Sequence, residues 1–137
     1  PLDGFGFQGN LTLLDGEFDT QVVNGQQRTG IPFPGMSKKI ANASLYFEKY
    51  GLSARVSYQW RDDWFDSLGG FGSGESRKGY ENLDVSARFK INDNFTIFAD
   101  ASNLTDAKYI AYEDSMERPT EVEQIGARYM FGLRFGF

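Results

Sequence analysis

The last thirteen residues of the chain alternate between apolar side chains and small or charged ones. One set is Ile125, Ala127, Tyr129, Phe131, Leu133, Phe135 and Phe137, and the other is Gly126, Arg128, Met130, Gly132, Arg134 and Gly136. Because successive side chains of a strand point to opposite faces, this pattern predicts a strand with one apolar face. A tilted strand crosses a bilayer with roughly 9–11 residues, whereas most strands of globular proteins have about 5–6. The strand is therefore long enough for a membrane.

The same alternation recurs five times earlier in the chain, at 5–13, 41–48, 52–61, 82–91 and 95–102. The apolar positions of the segment 52–61 are Leu52, Ala54, Val56, Tyr58 and Trp60. Turn-forming residues separate the segments, as in the Asn92-Asp93-Asn94 sequence. The pattern predicts an all-β fold of six long antiparallel strands.

The overall composition hides this pattern. Hydrophobic residues make up 40% of the chain, and the mean hydropathy is negative, as in a typical soluble domain. A transmembrane barrel gives the same average because its lipid face and its watery lumen cancel. No segment approaches the roughly 18 consecutive apolar residues of a membrane helix.

Residue usage excludes several kinds of chemistry. The chain has no cysteine and no histidine, and its net charge is −5, so we expect no enzyme activity, no cofactor and no nucleic-acid partner. An acidic run at 113–123 carries oxygen ligands that suit calcium. It lacks the regular D-x-D-x-D-G order, and we predict a solvated outer loop rather than a metal site.

The connections between the predicted strands differ in length. They are short at 49–51 and 92–94 and long at about 17–38, 62–79 and 112–124. Outer-membrane barrels have short periplasmic turns and longer extracellular loops, so the strand that ends at Phe137 would run towards the periplasm. The side chains expected to face lipid, with aromatic girdles at both ends, are Tyr58, Trp60, Val85, Phe89, Tyr129, Phe131, Leu133 and Phe135. The opposite set, which includes Arg55, Asp84, Arg88 and Asp100, would line the lumen.

The connection 62–79 combines aromatic rings with charges. Aromatic faces beside carboxylates suit sugar rings, and arginines suit an anionic group. The predicted ligand-binding residues are Arg61, Asp63, Trp64, Phe65, Asp66 and Arg77. The alternative is a solvated loop with an interfacial tryptophan. The glycine-rich stretch 69–74 reads as a flexible lid.

An ordered set of motifs resembles the C-terminal barrel of TonB-dependent outer-membrane receptors. The motifs are YENLDVSA at 80–87, INDNFTIF at 91–98, NLTDAKY at 103–109, Arg118-Pro119 and YMFGLRFGF at 129–137. The resemblance implies a barrel of about 22 strands, closed by an N-terminal plug. It also implies active import of a scarce ligand, such as a siderophore complex or an oligosaccharide, driven by the inner-membrane TonB complex.

Six strands are too few to close a membrane barrel, since the known range begins at about eight. We therefore expect 1–137 to be the C-terminal portion of a receptor barrel, and its partners to be the remaining strands, the plug, outer-membrane lipid and a small-molecule ligand. The expected location is the outer membrane of a Gram-negative bacterium, with the C-terminus in the periplasm.

Two other readings remain open at this point. A soluble carrier of the lipocalin or fatty-acid-binding type also alternates, but its apolar face would point inward around a lipid. A small structural outer-membrane barrel would have to close by itself or by forming an oligomer.

Phe137 is predicted to act in assembly, because a terminal aromatic residue on an amphipathic strand resembles the signal read by the outer-membrane insertion machinery. Deleting it from the full-length protein should lower the amount of inserted barrel. Deleting one residue of the 62–79 connection is the control. Equal insertion of the two variants would refute this role.

Overall fold

The computed structural model describes residues 3–21, 25, 27–68 and 74–136. These residues form an all-β fold without helices, so none of them belongs to a helix that could span a membrane. The strands of the described part are β1 Phe5–Leu13, β2 Glu17–Phe18, β3 Ile31–Pro32, β4 Lys39–Lys49, β5 Leu52–Arg61, β6 Trp64–Leu68, β7 Gly74–Arg77, β8 Tyr80–Asn92, β9 Phe95–Ser102, β10 Lys108–Glu113, β11 Pro119–Gln124 and β12 Arg128–Phe135.

The six long strands form one antiparallel sheet, which we call the wall, in the order β1-β4-β5-β8-β9-β12. Its register places the predicted apolar positions opposite one another: Val56 pairs with Leu45 on one side and with Val85 on the other. The same face continues through the Val85–Ala101 pair of β8 and β9. The alternation read from the sequence is therefore confirmed as a single apolar face across all six strands.

This apolar face is open rather than packed. Phe131 is 79% exposed and Phe7 is 72% exposed. Other large apolar side chains of the same face that are more than one-third exposed include Phe5, Leu11, Leu13, Leu45, Val56, Phe89, Ile97, Tyr129, Leu133 and Phe135. Contiguous exposed apolar surface of this extent marks a membrane or interaction surface.

Aromatic residues lie at both ends of the apolar face. Phenylalanine rings pack in tilted pairs at the end that carries the short turns, and the centroids of Phe5 and Phe47 are 4.7 Å apart. Phe95 and Phe135 form an equivalent pair at 4.7 Å. Trp60 is near the opposite ends of the long strands, as two aromatic girdles require.

Two glycines of the polar face are covered by aromatic rings from the neighbouring strand. Gly132 pairs with Phe98, and Gly6 pairs with Tyr46. A Cβ at either glycine would collide with the ring that lies over it. A ring shields the bare backbone of a strand glycine, so these two aromatic side chains stabilise the face that the alternation predicts to be polar or small.

The turn between β4 and β5 is a two-residue hairpin. Lys49 pairs with Leu52, and the two turn residues, Tyr50 and Gly51, have φ angles of 56° and 76°. Two positive φ angles in succession define the turn type that matches strand twist. The break predicted at 49–51 is therefore real, although Lys49 still belongs to the strand.

The long connections are not simple loops, which corrects the sequence prediction. A second antiparallel sheet, in the order β11-β10-β7-β6, is built from the connections at 62–79 and 112–124 and from β10. The connection 17–38 contains the short β2–β3 pair. Along the chain, β11, β10, β7 and β6 each lie next to a wall strand, namely β12, β9, β8 and β5 respectively. After a short break in pairing, the outer sheet therefore repeats the neighbour order β12-β9-β8-β5 of the wall. Bulges interrupt the alternation in these short strands, so the sequence pattern did not reveal the strands.

The last strand begins at Arg128, not at Ile125 as the alternation predicts. Gly126 has a φ of 79°, and its carbonyl accepts a hydrogen bond of 3.1 Å from the side-chain amide of Asn103. Asn103 has a positive φ as well, and its Oδ1 accepts the backbone N–H of Ala107. These contacts build a corner between wall and outer sheet. Phe137, the predicted assembly signal, lies outside the described residues.

Side chains that point to opposite faces of the wall allow a direct test of which face contacts lipid. We expect spin labels in the full-length protein to respond to a lipid-soluble quencher when they replace residues of the apolar face, and to respond weakly on the polar face. The apolar test positions are Tyr58, Trp60, Val85, Phe131 and Leu133, and the matched polar positions are Arg55 and Asp84. The reverse pattern would exclude a membrane wall.

Candidate ligand-binding surface

The polar face of the wall carries a ladder of cross-strand hydrogen bonds. The side-chain amide of Asn42 donates to Asn10 Oδ1 at 2.9 Å, and the hydroxyl oxygens of Ser44 and Ser57 are 3.1 Å apart. Arg55 donates to Ser44 Oγ at 3.3 Å. Charged and amide groups are hydrated cheaply beside water, so this face suits the lumen of a barrel.

The charged side chains predicted to point inward share this polar face by register. They are Glu48, Arg55, Asp84, Arg88, Asp100, Arg128 and Arg134. Asp84 is the best-anchored carboxylate: its Oδ1 accepts the backbone N–H of Asn103 at 2.9 Å and is 3.1 Å from the Asn82 amide nitrogen. Its contacts tie the wall to the corner described above.

Arg61 lies where the polar face meets the outer sheet, and its guanidinium is held on three sides. Nε donates to Ser37 Oγ at 2.9 Å, and Nη2 donates to the Gly35 carbonyl at 3.1 Å. The guanidinium carbon lies 3.8 Å from the ring centroid of Trp64, a cation–π geometry. Ser37 is fully buried, so this arginine closes a compact packed region.

Three aromatic rings follow one another on the same side. Trp64 and Tyr80 meet edge to face with centroids 6.3 Å apart, and Tyr80 and Tyr109 are 4.8 Å apart. Burial raises the pKa of the Tyr109 phenol above 10.0, and Tyr80 and the carboxylates of Glu123 and Asp84 add to this, so it stays neutral. Together with Arg61, these rings form a surface that we call the aromatic ladder.

A cavity of about 330 Å³ adjoins the aromatic ladder. Its lining residues are Gly35, Ile40, Asn42, Gln59, Trp60, Arg61 and Tyr80. Amide groups, one guanidinium and one phenol therefore surround a space that is apolar on one side. A few directed polar groups in a concave, partly apolar site are typical of small-molecule recognition.

Asp63 connects three segments of the outer region. Its Oδ1 accepts the Gly79 backbone N–H at 2.6 Å, and its Oδ2 accepts the Tyr112 hydroxyl at 3.1 Å. Burial first, and this hydrogen bond second, raise the pKa of Tyr112 above 10.0. Asp63 thus fastens the junctions β5–β6 and β7–β8 to β10.

Arg77 bridges two carboxylates across the outer sheet. Its Nε is 3.3 Å from Asp66 and its Nη2 is 3.5 Å from Glu121. All three side chains are at least 31% exposed, so each ion pair contributes little alone. Their effect is to fix the relative position of β6, β7 and β11.

The six predicted ligand-binding residues do not form one cluster but lie in separate contacts. Arg61 and Trp64 touch each other, and Arg77 pairs with Trp64 in the register of β6 and β7. Phe65 follows Trp64 on β6, so it points to the other face, where its ring lies beside Gly74. Asp63 faces Tyr112, and Asp66 faces Arg77. A ligand role for the set stays a prediction.

Sequence reasoning did not select Tyr80, Tyr109 or Ser37 as site residues. Tyr80 and Tyr109 are 29 positions apart along the chain and meet only because β8 leads into the wall while β10 belongs to the outer sheet. Both tyrosines nevertheless belong to family-like motifs, because Tyr80 begins YENLDVSA and Tyr109 ends NLTDAKY. Ser37 carried no signal, since its importance comes from burial.

The acidic run at 113–123 is exposed from 114 onwards, but it is not a loop throughout as the sequence predicts, because residues 119–124 form β11. Arg118 lies 3.5 Å from both Glu113 and Asp114 and neutralises part of the charge. The described residues contain no group of three or more potential metal-ligating side chains. The predicted lid at 69–74 lies largely outside the described residues, and Gly74 belongs to β7.

A family model described as "TonB dependent receptor-like, beta-barrel" matches residues 2–104. The match covers the wall from β1 to β9 and includes β2, β3, β6 and β7, whereas β10, β11 and β12 lie beyond it. Searches of curated proteins and of solved structures found no match.

Replacing Asp63 with alanine should loosen the outer sheet, because two hydrogen bonds to a charged acceptor are lost at once. Each such bond contributes roughly 1.5–3 kcal/mol when shielded, and less at this exposed site. We expect limited proteolysis of the outer sheet in the full-length protein to accelerate about fivefold or more. Asp62→Ala is the control, since among the described residues the Asp62 side chain accepts only the Asp63 N–H. Equal cleavage rates in the two variants would contradict the linking role.

Proposed function

We propose that this chain, which belongs to the TonB-dependent receptor-like β-barrel family, forms part of the wall of a receptor that imports a scarce ligand across the outer membrane. The family is one of receptors and transporters of the Gram-negative outer membrane, not of enzymes.

The observation that carries this proposal is the apolar face that runs across all six strands of the wall. Six strands in register present it on one side, and the polar ladder occupies the other. Burying this face in lipid avoids exposing rings such as Phe131 to water. A soluble carrier would instead fold its apolar face around a ligand, so exposure and family membership both favour the membrane barrel.

The edges of the wall call for further strands. Among the described residues, β1 pairs only with β4, and β12 pairs only with β9. Unpaired backbone groups are costly in hydrocarbon, so membrane sheets close into barrels. In our proposal other strands of the receptor pair with β1 and β12, a plug fills the lumen, and the TonB complex acts on that plug.

We place the outer sheet outside the cell and the short turns in the periplasm, where the C-terminus also lies. The support is the length asymmetry of the connections. Segments 62–79 and 103–127 contain ten acidic and four basic residues, so the proposed mouth is negatively charged. An anionic ligand would be repelled at long range, and a neutral or cationic one would not.

The ligand in this proposal contacts the aromatic ladder and the cavity beside it. Rings of Trp64, Tyr80 and Tyr109 offer stacking surface, and Asn42 and Gln59 offer hydrogen-bonding groups. These groups suit the rings and hydroxyls of an oligosaccharide, and they also suit an aromatic siderophore complex without net negative charge. Both ligand classes agree with the observed chemistry.

Trp64 and Phe65 make a matched pair for the test, because they are adjacent and point to opposite faces. In the full-length receptor, Trp64→Ala should weaken ligand binding at least tenfold, about 1.4 kcal/mol. Phe65→Ala should change the stability of the outer sheet and leave affinity within a factor of about two. Binding is measured by calorimetry, and barrel folding by heat-modifiable gel mobility. Unchanged affinity in folded Trp64→Ala receptor would move the ligand site elsewhere.

A further inference from the structure

Four carboxamide side chains form one row across the polar face of the wall. The antiparallel register places Asn10 opposite Asn42, Asn42 opposite Gln59, and Gln59 opposite Asn82. These residues belong to β1, β4, β5 and β8, and alternation along each strand puts all four on the polar face. Neighbouring strands are about 4.8 Å apart, so the row spans roughly 14 Å. We call it the amide row.

The members of the amide row are only partly engaged with other side chains. The Asn42 amide donates to Asn10 Oδ1 at 2.9 Å, and the Asn82 amide nitrogen is 3.1 Å from each carboxylate oxygen of Asp84. Gln59 is exposed, and its side chain has no hydrogen-bond partner within the described residues. Asn82 Oδ1 is shielded from solvent and accepts no hydrogen bond from the described part of the chain. The row therefore keeps donors and acceptors that the wall does not use.

The amide row separates two cavities. Asn42 and Gln59 line both the cavity of about 330 Å³ beside the aromatic ladder and a second cavity of about 190 Å³. The polar lining of the second cavity also includes Gln8, Asn10, Ser44 and Ser57. Gln8, Ser44 and Ser57 lie in the next row of the register, further from the outer sheet. A ligand chain that extends from the first cavity therefore crosses the amide row before it enters the second.

Charge is scarce in both cavities. One arginine lines each of them, Arg61 in the first and Arg55 in the second, and no carboxylate is among the described residues that line them. Arg61 already donates to Ser37 Oγ and to the Gly35 carbonyl. Arg55 donates to Ser44 Oγ. A cationic ligand would find no counter-ion here, and the acidic segments at the proposed mouth disfavour an anionic ligand. These cavities therefore suit a neutral ligand.

A carboxamide and a sugar hydroxyl are complementary groups. The carboxamide donates through its NH₂ and accepts through its carbonyl oxygen, and a hydroxyl also donates and accepts. A ligand that presents acceptors only would leave the carbonyl oxygens of Gln59 and Asn82 without donors, which is unfavourable in a cavity. The aromatic ladder beside the row supplies ring faces for the apolar side of a sugar.

We propose that the amide row determines the specificity of the ligand site and selects a neutral oligosaccharide, whose hydroxyls it binds along a path across the strands. A site built to hydrogen-bond hydroxyls discriminates strongly against ligands that lack them, because its polar groups are then left unpaired. The inference rests on the proposed function, from which it takes the lumen and the import role. It narrows two ligand classes to one and extends the site from the aromatic ladder to Asn10 on β1.

The test measures binding to the full-length receptor by calorimetry. The probes are neutral gluco-, xylo- and manno-oligosaccharides and an uncharged ferric siderophore complex. We expect an oligosaccharide to bind and the siderophore complex not to bind. Asn42→Leu/Gln59→Leu should weaken oligosaccharide binding at least tenfold, because two members of the row lose both donor and acceptor. Ser53→Leu, on the polar face of β5 but outside both cavities, should keep the native affinity. Heat-modifiable gel mobility checks that both variants fold.

A charge substitution tests selection itself. Gln59→Lys should lower the affinity for the neutral oligosaccharide and raise the affinity for its counterpart that carries uronic acids. Ser53→Lys adds the same charge to the same face of β5 and should leave the preference for neutral over acidic oligosaccharide unchanged. A purely structural role of Gln59 would instead lower both affinities together.

The inference is overturned if no oligosaccharide binds, or if folded Asn42→Leu/Gln59→Leu keeps the native affinity for the oligosaccharide. Uptake by cells that carry the receptor and the TonB complex separates this failure from a failure of the proposed function. Uptake of the siderophore complex would show that import stands and that the ligand class is wrong. Oligosaccharide that binds but is not taken up would refute import and leave the selectivity of the amide row standing.

Discussion

Backbone hydrogen bonding between antiparallel strands in one fixed register is the constraint on which the rest of the structure depends. Slipping a strand by one residue would move all its side chains to the opposite face. In the central strand this would exchange Val56, between Leu45 and Val85, for Arg55 or Ser57. A charge on a lipid-facing surface costs about 2–4 kcal/mol at midplane, so the alternation and the register enforce each other.

The change from wall to outer sheet follows from the same constraint. Where strands leave lipid, water can hydrate irregular backbone, and side chains such as Asp63 and Asn103 take over from the regular ladder. The corner residues also reorient the chain, so that β6, β7, β10 and β11 form a separate sheet. This junction is where the described packed core lies, with Ala111 1% exposed and Ser37 fully buried. The aromatic ladder lies at this junction.

Charge is distributed along the same axis. The outer segments carry the excess of acidic residues, while the wall carries arginines on its polar face. In the proposed orientation, a neutral or cationic ligand would therefore not be repelled by the acidic outer segments before it reaches the amides of the adjacent cavity.

The sequence by itself determined the six wall strands and their two faces, because a period of two over eight or more residues can be recognised without knowledge of neighbouring strands. The resemblance to the family came from ordered motifs such as YENLDVSA at 80–87. It did not determine the outer sheet, whose strands of four to six residues are broken by bulges and paired between distant hairpins. Only the tertiary structure brought Trp64, Tyr80 and Tyr109 together, and only it separated Trp64 from Phe65. The face to which a side chain points follows from the local alternation along its own strand. Contact between hairpins depends instead on the register in which their strands pair.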